Sequence, residues 1–86
     1  MSNEKKFEVA VKRLAIRLNC VNADSIIISE NEDTKRLESY LVLRQDSNKV
    51  ISLEGERVKM RNAKREGKQT GWRDFGTLDE FARALA

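Results

Sequence analysis

Histidine and proline are absent from this chain, and cysteine, tryptophan and tyrosine each occur once. Without histidine, and with a single cysteine, the ordinary zinc sites and imidazole-based acid–base catalysis are excluded. A lone thiol, Cys20, has no partner for an intrachain disulfide, which points to a reducing, cytoplasmic setting. Apolar runs are short, so no segment of the sequence is expected to span a membrane. The opening residues, Ser2-Asn3-Glu4-Lys5-Lys6, are too polar for a signal peptide. Only five aromatic residues (one Trp, one Tyr, three Phe) are available to build a core or a stacking surface.

What is present fits one small domain spanning residues 1–86. The composition is 40% hydrophobic and 36% charged, with four glycines. The apolar fraction argues against disorder, while the size implies a thin stability margin. Formal net charge is +3. So small an excess matters through its placement.

Residues 4–19 read as a helix. Phe7, Ala10, Val11, Leu14 and Leu18 recur at three- and four-residue steps on one face, with Asn3 as the expected N-cap. Ser25-Ile26-Ile27-Ile28-Ser29 is β-branched and reads as a strand, and Ile27 is expected in one core with Leu14 and Phe81. Leu37 to Gln45 suits either a strand or a helix. The strand is favoured because Asp46-Ser47-Asn48 then turns the chain into Lys49–Leu53. Gly55 marks a further turn. From Arg57 to Ala63 the alternation is strict, with Val58 and Met60 on one face and Arg57, Lys59 and Arg61 on the other. Gln69 to Phe75 is the return strand. Thr77, with Glu80 three residues on, forms a capping box for a terminal helix that carries Leu78, Phe81, Ala82 and Leu85. The expected fold is therefore α+β: an antiparallel sheet of four or five strands with an N-terminal and a C-terminal helix on one face.

The basic hairpin carries the clearest functional signal. Arg57, Lys59, Arg61, Lys64, Arg65, Lys68 and Arg73 fall within seventeen residues, with only Glu66 opposing them. Cations at two-residue spacing along a strand rise roughly 6–7 Å per step, near the phosphate spacing of a nucleic-acid strand. Trp72 lies beside them and is able to stack on a base. The plainer reading is a solvated sheet face, with Trp72 used in the core.

A second signal is the stripe Val9, Ile16 and Cys20, opposite Phe7 and Leu14, which marks a candidate interface for a partner or a homodimer. Glu30, Glu32 and Asp33 lack the spacing of a cation-binding loop and read as a solvated acidic turn. No base accompanies any serine or cysteine at a catalytic spacing. Gly67-Lys68-Gln69-Thr70-Gly71 lacks the Walker arrangement and precedes a strand where a helix is required. No enzyme activity, metal or cofactor is expected.

The segment Gly67-Lys68-Gln69-Thr70-Gly71-Trp72-Arg73-Asp74-Phe75, followed by Thr77 and Glu80, resembles the hairpin and following helix of a small phage-encoded anti-CRISPR protein of the type I-F class. That resemblance implies a compact, non-enzymatic inhibitor that binds the protein part of an RNA-guided surveillance complex. The same residues resemble the strand-to-helix junction of sheet-type DNA readers, such as plant ethylene-response domains and phage integrase arm-binding domains, where Trp72, Phe75, Thr77, Glu80 and Ala82 are structural. Two expectations follow. One is a binding protein that engages nucleic acid, or a nucleic-acid-handling ribonucleoprotein, through Arg57, Lys59, Arg61 and Arg73. The other is a phage or mobile-element inhibitor of a host protein complex that works through protein–protein contacts.

Overall fold

The computed structural model describes residues 2–44, 48–63 and 73–86. Helix α1 spans Asn3–Arg17 and is capped by Ser2, whose hydroxyl accepts the Lys5 N–H at 3.2 Å. The cap therefore lies one residue before Asn3, which forms the first helical position. Phe7, Ala10, Val11, Leu14 and Ala15 are buried, as the periodicity requires, whereas Leu18 lies beyond the helix and is exposed.

The helix ends on Asn19, which takes a left-handed φ of 55°. The Asn19 N–H donates to the Ile16 carbonyl and the Cys20 N–H to the Ala15 carbonyl, together a Schellman closure. This turn swings Cys20 inward, against the core that Ala15 also enters.

Five strands follow: β1 Ser29–Glu30, β2 Leu37–Leu41, β3 Lys49–Glu54, β4 Arg57–Asn62 and β5 Arg73–Thr77. They pair antiparallel in chain order, β1-β2-β3-β4-β5. Leu37–Leu41 is thus a strand, and the expected α+β architecture holds. Helix α2, Leu78–Ala84, starts from Thr77 with both halves of the capping box in place. Leu41, Ile51, Leu53, Val58 and Met60 turn toward the helices and pack with Phe7, Val11, Leu14, Phe81 and Leu85. The helices run side by side in the same direction. Lys6 near the start of α1 bonds Asp79 at the start of α2, and Arg17 at the end of α1 reaches the Ala84 carbonyl. No helix among the described residues is long and apolar enough to cross a membrane.

The isoleucine run departs from expectation. Ala23–Ser25 forms a short 3-10 turn, and only Ser29 and Glu30 enter the sheet. The cause is Asn22. Its Nδ2 donates to the Tyr40 carbonyl and its Oδ1 accepts the Val42 N–H, both at 3.0 Å. A longer β1 needs those same backbone groups, so the side-chain amide ends the ladder. Ile27 has the parity of Ser29, which lies beside Glu38 on the open face, so it is 72% exposed rather than in the core, and Ile26 is the buried residue of the run.

Candidate binding face

Both helices cover one face of the sheet, and the opposite face stays open. Register fixes what it displays. One row across the strands reads Ser29, Glu38, Ser52, Lys59, Asp74. The next reads Tyr40, Val50, Arg61, and on the other side Glu54 lies beside Arg57. Arg57, Lys59 and Arg61 therefore share this face, while Val58 and Met60 point into the core.

The row of cations is not bare. Arg57 meets Asp74 at 3.1 Å, Arg61 meets Glu38 at 3.6 Å, and Arg36 meets Glu54 at 2.8 Å. Four cations (Arg36, Arg57, Lys59, Arg61) thus stand among three carboxylates (Glu38, Glu54, Asp74) in an alternating pattern. The Gly76 N–H and the Arg57 guanidinium, both donating to Asp74, hold its carboxyl below its ordinary range. Val50 and Ser52, in the central strand, are buried on this face between the long side chains of their cross-strand neighbours.

Toward β1 the face carries two exposed large apolar side chains, Ile27 and Tyr40, among polar neighbours. Tyr40 is 60% exposed and stands near the exposed Ile27 across a cleft of about 400 Å3, lined also by Ser29, Glu38, Val50 and Arg61. Sequence reasoning missed this cleft. Its only signal was Asn22, whose role depends on a fold that brings β2 alongside.

Arg73 does not join the row. It pairs with Met60, so it lies on the helix side, with its guanidinium 4.9 Å from the centre of the Phe75 ring. Phe75 in turn packs on Phe81 at 5.1 Å. The register shift between Arg57 and Lys59 offsets β5, which strict alternation from β4 did not anticipate. Lys64, Arg65, Lys68 and Trp72 lie outside the described residues. Of the helix stripe, Val9 is half-buried, Ile16 is 65% exposed, and Cys20 belongs to the core. The three do not form one exposed surface, because the Schellman turn carries Cys20 away from the helix face. Burial pushes the Cys20 thiol above its ordinary pKa, which opposes reactivity. Among the described residues, no group of three His, Cys, Asp or Glu is placed to hold a metal ion.

No protein-family model, curated protein or solved structure matches the chain. Of the segment that resembles the anti-CRISPR hairpin, only Arg73 to Phe75, Thr77 and Glu80 fall among the described residues.

Proposed function

We propose that the chain is a non-catalytic binding protein whose working surface is the open sheet face, and that this face docks on a protein complex of matching mixed charge. The alternation of paired cations and carboxylates beside the exposed Ile27 and Tyr40 supports this reading. Interspersed charge gives orientation and partner choice in protein docking, and the exposed Ile27 and Tyr40 supply apolar contact of the kind that such interfaces desolvate. A polyanion gains nothing from Glu38, Glu54 and Asp74. The mode of action is that of small docking inhibitors, the class that the β4–β5 hairpin segment resembles, and a nucleic-acid-handling ribonucleoprotein is a partner of suitable chemistry.

A second reading, direct nucleic-acid binding, keeps the support of Arg57, Lys59 and Arg61 on one accessible face. Opposite charge reversals separate the two. Glu38, Glu54 and Asp74 all changed to Lys strengthen binding to a polyanion and weaken docking on a mixed-charge protein. Changing Arg57, Lys59 and Arg61 to Glu weakens both, but the salt dependence differs. A nucleic-acid complex loses about one unit of salt slope per phosphate contact removed. Affinity capture that survives nuclease treatment and is weakened by the lysine triple variant supports the protein reading. Capture abolished by nuclease, with tighter binding by that variant, overturns it.

A further inference from the structure

The free edge of β1 has a chemistry of its own. The Asn31 N–H donates to the Arg36 carbonyl at 2.8 Å. In an antiparallel ladder, residues of one parity face the partner strand, so residues 29 and 31 turn their backbone groups toward β2. Ile28 and Glu30 then turn their N–H and C=O groups outward, and among the described residues no turn, loop or cap hydrogen bond reaches them.

Exposed edges are commonly shielded by lysine, proline or a bulge. The opposite edge has such protection. β5 carries the register shift, and the Asp74 carboxylate ties down the Gly76 N–H at 2.8 Å. The β1 edge has neither. Its sequence from 25 to 29 is Ser-Ile-Ile-Ile-Ser, with high strand propensity and no lysine or proline.

We propose that this edge accepts an extended, basic peptide segment of a partner protein as an added strand. Backbone pairing at Ile28 and Glu30 supplies the affinity, and charge selects the occupant. Asp24, Glu30, Glu32 and Asp33 are all exposed around the edge. Two cations stand nearby: Arg36 is committed to Glu54 at 2.8 Å, and Lys35, exposed in the turn, offsets one of the four carboxylates. In a chain of net charge +3, this concentration of carboxylates is local. A second copy of the chain would bring four more carboxylates to the same place, whereas a lysine- or arginine-bearing strand neutralises them. Side chains of the added strand on the open-face side lie next to Ser29 and Ile27, at the rim of the 400 Å3 cleft. The edge shares Ser29 and Ile27 with the open face, but its backbone pairing does not use Glu38, Glu54 or Asp74. Loss of peptide binding on Glu30→Lys with Glu32→Lys and loss of docking on the Glu38, Glu54 and Asp74 lysine variant are therefore distinguishable failures.

The test uses three end-blocked synthetic peptides: one alternating Lys and Val, one alternating Glu and Val, and the Lys–Val peptide fully N-methylated. Amide hydrogen exchange is followed by NMR on the whole chain. At a Lys–Val concentration ten times its Kd, exchange at Ile28 and Glu30 slows by about tenfold. The N-methylated peptide cannot donate to the Ile28 and Glu30 carbonyls, and its methyl groups block the close approach of an added strand, so it does not pair with the edge and leaves both amides unchanged. Glu30→Lys with Glu32→Lys shifts preference from the Lys–Val to the Glu–Val peptide. Unchanged exchange at Ile28 and Glu30, or equal binding of the two charged peptides by the native chain, overturns the proposal. So does protection of those amides without peptide in a chain that sediments as a dimer, since the edge then belongs to a second copy.

Discussion

Arg57 and Asp74 join β4 to β5 through two contacts, Nη2 to Oδ1 at 3.1 Å and Nε to Oδ2 at 3.3 Å. The pair spans the place where the strand register shifts. Asp74 has a further task, since it also accepts the Gly76 N–H. Asp74→Ala therefore removes both the cross-strand clasp and the backbone tie, while Arg57→Ala removes only the first. Urea unfolding should show the larger loss for Asp74→Ala. Added salt should shrink the Arg57→Ala effect, because both side chains are about half exposed.

Ile26 and Ile27 are adjacent in sequence and opposite in environment, 7% and 72% exposed. Ile26→Ala is expected to cost about 2–5 kcal/mol, the range for a buried isoleucine, and Ile27→Ala less than about 0.5 kcal/mol. Equal costs would show that Ile27 is as buried as Ile26 and overturn this placement.

This pair also marks how far the sequence could be read. Helix α1, the alternation in β4 and the capping box at Thr77 were legible because each rests on neighbours within a few residues. The ion pairs were not. Arg61 finds Glu38, and Arg36 finds Glu54, only once the strands are in register. A row of arginines looks uniformly basic until the carboxylates of β2, β3 and β5 are laid beside it. Propensity likewise favoured a strand at Ile27, and the competing amide of Asn22 lay outside its reach.

Acid should unfold the domain through its paired carboxylates. Asp74, Asp79 and Glu80 are all held below their ordinary pKa, chiefly by the Gly76 N–H, the Lys6 ammonium and the Thr77 N–H respectively. A carboxylate with a depressed folded-state pKa contributes stability above its unfolded pKa of about 4 and loses it as pH falls through the folded value. Melting temperature should thus be flat near neutrality and fall below about pH 4. Asp74→Asn together with Glu80→Gln should flatten that fall. An unchanged acid limb would assign the loss to other groups.

Gly55 and Gly76 both adopt positive φ, 61° and 85°, but only Gly76 is crowded. A Cβ at Gly76 would sit 2.7 Å from Glu80 Oε1, the atom that accepts the Thr77 N–H, whereas one at Gly55 meets nothing within 4 Å. Gly55→Ala should cost about 1–2 kcal/mol from backbone strain alone. Gly76→Ala should cost more, because it also displaces the cap of α2. Thermal melts of the two variants, with circular dichroism to follow the helix, check the order.

The sheet follows chain order without a crossover, and this bears on how the molecule reaches its fold. Each hairpin closes between sequence neighbours, so most strand pairing needs only short loop closures, and such topologies assemble quickly. With no proline in the chain, refolding has no prolyl isomerisation to wait for. The distant events are the packing of α1 on the sheet and the docking of α2 beside α1, which brings Lys6 to Asp79 across 73 residues. Changes in the β3–β4 hairpin should alter the rate of folding, while changes at the helix pair should chiefly alter the rate of escape from the native state.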